Sequence, residues 1–235
     1  MKTIVLLPTY NERENIKKTI ELIFEVSPEV HVLVIDDSSP DGTADVVRDL
    51  TREHLSLELL IRDKKTGLGD AYKAGYAHVL QQGYSYIITM DADGSHNPAY
   101  IPTMLEKMNR HDLVVGSRYI KQGKVVDWEL WRRLLSAAGN IYTRILTGMP
   151  MRDATSGFVC VRSDLVRKID LPTIRASGYA YQVAFKWYCW RAGAKILEIP
   201  ITFLPRREGE SKLTQGTVYE GILTPIRLFF QRLNI

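Results

Sequence analysis

Short apolar segments rich in β-branched residues recur along the first half of the chain, and a stretch with helical spacing separates each from the next. We predict five buried strands from this pattern, at residues 3–7, 30–35, 57–61, 86–90 and 113–116. Strands that alternate with helices form βαβ units, whose right-handed crossovers build a parallel sheet. The sequence therefore predicts an α/β fold with a mostly parallel sheet flanked by helices.

The pattern changes in the second half of the chain. We predict a long helix at residues 128–146, a strand at 156–161, a largely apolar helix at 181–190 and a last strand at 194–203. A final amphipathic helix begins near residue 217, and Pro225 is expected to kink it. Its apolar face consists of Val218, Ile222, Ile226, Phe229, Phe230 and Leu233. This face either packs on the domain or lies in a membrane interface, with Arg227 and Arg232 at the headgroups.

Polar side chains follow three of the predicted strands at the point where each strand ends. They are Thr9, Tyr10, Asn11 and Glu12 after the first strand, Asp36 and Asp37 after the second, and Asp91 and Asp93 after the fourth. The carboxyl ends of parallel strands meet at one edge of a sheet, where open α/β sheets bind their ligands. Together these groups can form a pocket with an aromatic face for a base, carboxylates for a ribose or base edge, and a metal for a diphosphate.

Asp91 and Asp93 stand two positions apart on an extended segment, so their side chains point to the same side. Two converging carboxylates repel each other unless a cation or a proton lies between them. Hard oxygen ligands suit Mg²⁺ or Mn²⁺, and Mg²⁺ usually shares its ligands with substrate phosphates. Ser95 and His96 can complete or orient such a site, and we expect His96 to orient it. The alternative is a solvated acidic turn, because D-x-D alone is a common pattern.

The distribution of charge is more informative than its sum. The 235-residue chain carries a net charge of +4, but residues 118–152 contain seven Lys or Arg against two acids. This local excess suits an anionic ligand or an anionic membrane surface. Cys160 and Cys189 are too few for a disulfide framework, which favours a reducing compartment. The N-terminal apolar run is too short for a signal peptide and no run reaches transmembrane length, so we expect a chain that does not span a membrane by itself.

Several nucleotide-binding classes are disfavoured because their motifs are missing. Gly67-Leu68-Gly69 lacks the G-x-G-x-x-G pattern and follows the third strand rather than the first, and no G-x-x-x-x-G-K-[ST] occurs. Residues 8–12 (PTYNE) are not the Gly-rich, Arg- or Lys-bearing loop that a nucleotidyltransferase typically has after its first strand. No motif of stacking aromatic and basic residues is present, so we do not expect nucleic acid as a partner despite a pI of about 9.0.

Eight motifs occur along the chain in the order PTYNE, VIDDSSPDGT, GLGDAY, MDADGSH, VVGSRY, RRLLSAAGN, ATSGF and RREGESK. In this order they resemble the family-2 glycosyltransferases of the GT-A fold, and most closely the dolichyl-phosphate (polyprenyl-phosphate) mannose synthases. The resemblance covers residue 3 to about residue 213. It implies a Rossmann-like GT-A domain at residues 1–213, with a nucleotide-binding half at 1–117 and an acceptor-side half at 118–213. Residues 214–235 then form the C-terminal amphipathic helix, as in the short form of these enzymes that has no transmembrane helices.

The resemblance also implies roles for individual residues. The nucleoside is held by Pro8, Tyr10, Glu12 and Asp37. The metal, Mg²⁺ or Mn²⁺, and the diphosphate are bound by Asp91 and Asp93, with Ser95 as a further metal ligand. The sugar diphosphate and the acceptor's phosphate are bound by Arg118, Arg132, Ser136, Arg206 and Lys212. The catalytic set among all of these is Asp93, Arg118, Arg206 and Lys212.

The activity that the resemblance implies is transfer of mannose from GDP-mannose to dolichyl or polyprenyl monophosphate, with inversion at the anomeric carbon. A lipid-linked acceptor requires a membrane surface, so we expect a peripheral protein at the cytoplasmic face of a membrane. A small membrane-anchoring partner protein is an alternative tether. Two other functions stay open, namely a polyprenyl-phosphate glucosyl- or amino-sugar transferase that uses a UDP-sugar, and a non-catalytic module that binds a nucleotide sugar.

Overall fold

Strands and helices alternate along the chain, as the sequence predicts. The structure is a computed structural model that describes residues 1–176, 178–205 and 215–233. The first half contains β1 (Thr3–Thr9), α1 (Arg13–Val26), β2 (His31–Asp36), α2 (Thr43–Leu50), β3 (Leu57–Ile61), α3 (Leu68–Val79), β4 (Tyr86–Thr89), α4 (Ile101–Lys107) and β5 (Leu113–Ser117). The second half contains β6 (Lys124–Val125), α5 (Leu130–Thr147), β7 (Val159–Arg162), α6 (Ser163–Val166), α7 (Ala180–Arg191), β8 (Ile196–Pro200), β9 (Thr202–Phe203) and α8 (Gln215–Leu233).

Seven of the strands form one sheet in the order β3-β2-β1-β4-β7-β5-β8. Neighbouring strands are parallel except at β7, which runs antiparallel to both β4 and β5. The predicted mostly parallel sheet flanked by helices is therefore confirmed. The apolar pattern of β7 carries no information about strand direction, so its antiparallel placement was not part of the prediction. Because β7 lies between two strands of the first half, both halves of the chain share this sheet.

The predicted strand at residues 194–203 is divided in the structure. β8 pairs with β5 in the large sheet, and β9 pairs with β6 in a separate two-stranded sheet. Ile201 lies between them: its N–H donates to the carbonyl of Ser117, and its carbonyl accepts from the N–H of Lys124. An apolar run of this length predicts extended backbone correctly, but it does not show where the chain changes its partner strand.

The sheet is covered by helices on both faces. Ile4 and Leu6 of β1 belong to a buried cluster with residues of α3 and α7, whereas Val5 and Leu7 belong to a second cluster with residues of α1 and α4. Successive side chains of a strand point to opposite faces, so a strand buried on both faces is apolar throughout. This explains why the central strands read as continuous apolar runs.

The C-terminal helix α8 packs against α5 and α7. Leu228 is buried, and Pro225 lies inside the helix and is also buried. In contrast, Ile222, Phe230 and Leu233, which belong to the predicted apolar face, are each more than half exposed. The predicted face is thus only partly covered by the domain. None of the helices in the described ranges is both long enough and apolar enough to cross a membrane.

Candidate active site

The loops that follow β1, β2 and β4 lie side by side, because these three strands are neighbours in the sheet and run parallel. The N–H of Asn11 donates to the Ser39 hydroxyl at 3.0 Å, which joins the first two loops. Asn11 and Ser38 have positive φ angles of 56° and 51°, a conformation that non-glycine residues rarely adopt. Strained residues of this kind are common at functional sites. The structure brings the polar residues that follow β1, β2 and β4 together at one edge of the sheet, as predicted.

The adjacent residues Asp36 and Asp37 differ in their surroundings. Asp36 is fully buried and accepts hydrogen bonds from the Thr9 hydroxyl at 2.9 Å and from the Ser39 N–H at 2.8 Å, so it closes the loop. Asp37, the predicted nucleoside contact, pairs with Arg62 at 2.7 Å. Burial raises the pKa of Asp37 from its ordinary value, and the Arg62 guanidinium opposes that shift. Arg62 follows β3 in the next loop along the sheet, and no motif in the sequence pointed to it.

The other three predicted nucleoside contacts lie at or just after the end of β1. Pro8 is part of the strand and lies opposite Ile35 of β2. Tyr10 is half-buried, and the ammonium group of Lys65 lies 3.9 Å from the centre of its ring. Glu12 is buried and accepts a hydrogen bond from the Asn15 side chain at 3.1 Å. These residues line the same edge of the sheet, and their nucleoside contacts stay a prediction.

Hydrogen bonds from neighbouring residues hold the D-x-D segment in place. Ala92 is buried and its carbonyl accepts a hydrogen bond from the Thr19 hydroxyl at 2.9 Å, while Asp91 and Asp93 on either side of it stay partly exposed. Oδ1 of Asp93 accepts from both the N–H and the hydroxyl of Ser95, at 3.0 and 2.6 Å. Ser95 therefore directs its proton to Asp93, and its role as a metal ligand stays a prediction.

His96 orients the first carboxylate through the backbone. Its Nδ1 accepts the N–H of Asp91 at 2.9 Å, so the ring proton belongs on Nε2. The ring is buried, stacks on Phe158 at 5.1 Å between centres and meets the edge of Phe203 at 5.4 Å. Burial lowers the pKa of His96 to about 4, which keeps the imidazole neutral at physiological pH. The position agrees with the orienting role predicted from the sequence.

The protein groups that can hold a divalent cation are few. In the described part of the chain, no three His, Cys, Asp or Glu side chains come together as a metal-binding group. Asp91 and Asp93, with Ser95, stay the predicted protein ligands. Their oxygen atoms suit Mg²⁺ or Mn²⁺, and Mg²⁺ is commonly bound by one or two carboxylates that leave its other positions to water and substrate phosphates. The donor set fits this pattern.

Arg118 is part of a buried ion pair that the sequence analysis did not foresee. Its Nε and Nη2 donate to the two carboxylate oxygens of Asp153, each at 2.8 Å, and Nη2 also donates to the Thr155 hydroxyl at 2.8 Å. Asp153 is completely buried. Burial opposes ionisation of this carboxyl, but the Arg118 guanidinium outweighs it and lowers the pKa of Asp153 below its ordinary value. Contact between Arg118 and a phosphate stays a prediction.

An aromatic pair connects the arginines to the D-x-D loop. The guanidinium carbons of Arg132 and Arg118 lie 4.2 and 5.9 Å from the centre of the Trp128 ring. Trp128 meets the edge of Phe203 at 5.6 Å, and Phe203 in turn contacts His96. The structure thus brings two predicted phosphate-binding residues to one aromatic group beside the D-x-D loop.

Ser136, Arg206 and Lys212 complete the predicted set. Ser136 is half-buried and lies one helical turn after Arg132 on α5, as the spacing predicts. Arg206 and Lys212 lie outside the described residues, so their roles rest on the sequence alone.

Lys186 of α7 is a further buried group beneath the site. Its Nζ donates to the Ser156 carbonyl at 2.7 Å, and the Thr89 hydroxyl at the end of β4 donates to the next carbonyl, that of Gly157, at 2.8 Å. Burial lowers the pKa of Lys186 to about 7. A lysine in an apolar helix gave no sign in the sequence that it would be fully buried.

Comparison with known proteins finds relatives over nearly the whole chain. The profile of Glycosyl transferase family 2 matches residues 4–170. The undecaprenyl-phosphate mannosyltransferase of Micrococcus luteus is 42% identical over 227 residues, which cover 97% of this chain and 93% of that protein. The polyprenol monophosphomannose synthase of Mycolicibacterium smegmatis is 39% identical over 224 residues, which cover 94% of this chain and 84% of that protein.

Solved structures agree on the fold. The mannosyltransferase PcManGT of Pyrobaculum calidifontis, solved with GDP-Man and Mn²⁺, superimposes with a TM-score of 0.60 at 14% identity, covering 97% of this chain and 73% of that one. Identity this low is evidence for the fold alone. The family match and the two relatives extend over the strands and loops that form the site, and the chain belongs to glycosyltransferase family 2.

Proposed function

We propose that the chain transfers mannose from GDP-mannose to a polyprenyl monophosphate, in a metal-dependent reaction that inverts the anomeric carbon. The observation that carries the proposal is the identity of about 40% with two polyprenyl-phosphate mannose transferases over nearly the whole chain. The strand-end loops with Asp37, Asp91 and Asp93 supply the groups that such a donor requires.

The donor would bind across the carboxyl ends of β1, β2 and β4. Tyr10 offers an aromatic face to the base, and the carboxylates of Glu12 and Asp37 offer acceptors to the base edge and the ribose. Asp91 and Asp93 would hold Mg²⁺ or Mn²⁺ next to the diphosphate. When bound, the metal would stabilise the charge that develops on the leaving phosphate.

The acceptor in this proposal is a phosphate monoester. Its second pKa is about 6, so it is mostly a dianion at pH 7 and needs little deprotonation before it attacks the anomeric carbon. A dedicated general base is therefore not required. The difficulty is to bring two anions together, and the cations Arg118, Arg132, Arg206 and Lys212 would offset their repulsion. One displacement inverts the anomeric carbon, so an α-linked donor gives a β-linked product.

The lipid part of the acceptor requires contact with a membrane. We assign this contact to the α5–α8 apolar surface, defined by exposed side chains of two helices that pack together. These side chains are Leu130, Trp131, Leu134, Leu135, Ile141, Ile145, Tyr219, Ile222, Phe230 and Leu233. Exposed arginines stand on the same two helices, at Arg133, Arg144, Arg227 and Arg232. An apolar face bordered by cations is typical of a helix that lies in the interface of an anionic membrane, and the cytoplasmic leaflet is anionic.

The proposal is tested by the products formed from labelled donors. GDP-mannose and UDP-glucose would be supplied in separate reactions with dolichyl or undecaprenyl phosphate in detergent. The transferred sugar would be identified by the label of its donor, and its anomeric configuration by the one-bond C1–H1 coupling in NMR. Mannosyl lipid with β configuration supports the proposal. Formation of glucosyl lipid would show that the donor is a UDP-sugar and that the type of reaction is as proposed. An α-linked product would exclude a single displacement. Binding of nucleotide without transfer would favour the non-catalytic module.

A further inference from the structure

Two buried polar groups next to the D-x-D loop have no hydrogen-bond partner within the described residues. They are the hydroxyl of Tyr72 on α3, in a side chain with no solvent exposure, and the amide nitrogen of Gln182 on α7, in a side chain that is 2% exposed. Nearly all buried polar groups in folded proteins are hydrogen-bonded, and an unsatisfied one is costly. Both groups are therefore available to a partner that the described residues do not supply.

Gln182 and Asp91 border the same small space above Gly157. A β-carbon at Gly157 would lie 3.4 Å from Oδ1 of Asp91 and 3.7 Å from the amide nitrogen of Gln182. The carboxylate acceptor of Asp91 and the amide donor of Gln182 therefore converge on one point next to Gly157. Cε1 of His96 lies 3.4 Å from the same point.

Tyr72 lies against α7, the helix that carries Gln182, because α3 and α7 approach each other closely. A β-carbon at Gly69 would lie 2.8 Å from both the Ala176 carbonyl oxygen and Cβ of Tyr181, so only glycine permits this approach. One turn later the ring of Tyr72 stacks on Tyr181 at 6.2 Å between centres. Burial, and after it the negative charges of Asp91 and Asp93, raise the pKa of Tyr72 well above its ordinary value. The hydroxyl therefore stays protonated and can donate.

The arrangement combines carboxylate acceptors with neutral donors. A sugar hydroxyl satisfies both, because it donates one hydrogen bond and accepts others. We propose that Tyr72 and Gln182 form the subsite that hydrogen-bonds the hexose hydroxyls of the nucleotide-sugar donor, an inference that rests on the proposed function. The two residues would then select the donor by its sugar rather than by its nucleotide.

The test compares binding of a nucleotide with binding of its sugar conjugate. The full chain would be titrated calorimetrically with GDP and with GDP-mannose in Mg²⁺, as wild type, Tyr72→Phe and Gln182→Met. Loss of one neutral hydrogen bond is expected to weaken GDP-mannose binding about 3- to 10-fold and GDP binding less than about twofold. Tyr181→Phe is the matched control. Its hydroxyl is also buried and unpartnered within the described residues, but burial is the main cause that raises the pKa of Tyr181, and neither D-x-D acid contributes to that shift.

The outcomes separate this inference from the proposed function. If both variants keep the wild-type ratio of GDP-mannose to GDP affinity while only their melting temperatures fall, the two groups bond to buried water and the inference is wrong. Equal weakening of GDP binding and GDP-mannose binding would assign Tyr72 and Gln182 to the diphosphate, and it would also overturn the inference. If the wild type binds UDP and UDP-glucose instead, the ratio of UDP-glucose to UDP affinity is compared between wild type and variants in the same way. A wild type that binds no nucleotide sugar overturns the proposed function and this inference with it.

Discussion

The imidazole of His96 accepts the backbone N–H of Asp91 at 2.9 Å, and this bond fixes the first carboxylate of the D-x-D segment from behind. The ring is itself held between Phe158 and Phe203, so the position of Asp91 depends on packing in the core. A neutral ring is needed for the bond, because a protonated imidazole has no acceptor.

Replacement of His96 tests this dependence. His96→Phe keeps a ring next to Phe158 but leaves the Asp91 N–H without its acceptor, which costs about 1–3 kcal/mol. We expect kcat to fall about tenfold and the Mn²⁺ concentration for half-maximal activity to rise. The measurement is a Mn²⁺ activation curve. His96→Asn restores an acceptor and should recover part of the loss; equal curves for wild type and His96→Phe would contradict the role.

The Arg118–Asp153 pair is expected to contribute strongly to stability. Asp153→Ala leaves the Arg118 guanidinium buried without its partner, and removal of one member of a buried pair costs about 3–5 kcal/mol. The free energy of unfolding, measured in denaturant, should fall by that amount. Asp164→Ala is the control, because Asp164 pairs with Arg167 at the surface with 89% of its side chain exposed and should cost less than about 1 kcal/mol. Similar losses in the two variants would contradict the account.

Lys186 should make stability depend on pH in the alkaline range. Its pKa is about 7 in the folded chain and 10.5 in the unfolded chain, so the unfolded state binds more protons between these values. Stability therefore rises as pH increases from 7 towards 10.5, by about 1–3 kcal/mol up to pH 9.5. Lys186→Met removes this contribution. Denaturant unfolding of both proteins from pH 7 to pH 9.5 should show a steeper rise in the wild type, and parallel curves would contradict the shift.

The α5–α8 apolar surface is expected to bind anionic vesicles. Trp131→Glu and Ile145→Glu add a negative charge to exposed apolar positions on α5 and should weaken binding about tenfold in a vesicle co-sedimentation assay. Leu55→Glu makes the same change at a fully exposed leucine before β3 and should have no effect. If the wild type does not sediment with vesicles but is a dimer that the two α5 variants dissociate, the surface is an interface between copies of the chain.

Part of this structure could be predicted from the sequence, because strands and their ends are local features. The apolar runs located the strands, and the polar residues after β1, β2 and β4 located the site. Contacts between distant segments were not predictable in the same way. Asp153, the partner of Arg118, stands 35 positions away and looks like an ordinary loop acid in the sequence.

The burial of some polar residues was also not predicted from the sequence. Gln182 and Lys186 lie on a helix, where a polar residue normally faces solvent. Helix α7 is buried over most of its circumference, so its spacing does not show which side faces the site. The periodicity of α8 identified its apolar face and left open whether the domain or a membrane covers it, and the structure shows that the domain covers only part of it.

The role of the D-x-D carboxylates in sugar transfer is tested most directly by one comparison. Mannose transfer from GDP-mannose to polyprenyl phosphate would be measured for the wild type and Asp93→Ala, with Mn²⁺ and then with excess EDTA. We expect transfer by the wild type that EDTA abolishes and added Mn²⁺ restores. We also expect a loss of at least about 100-fold in Asp93→Ala, comparable to the removal of one group that stabilises developing charge. Transfer by the wild type that persists in EDTA, or an Asp93→Ala variant with wild-type activity, would contradict it.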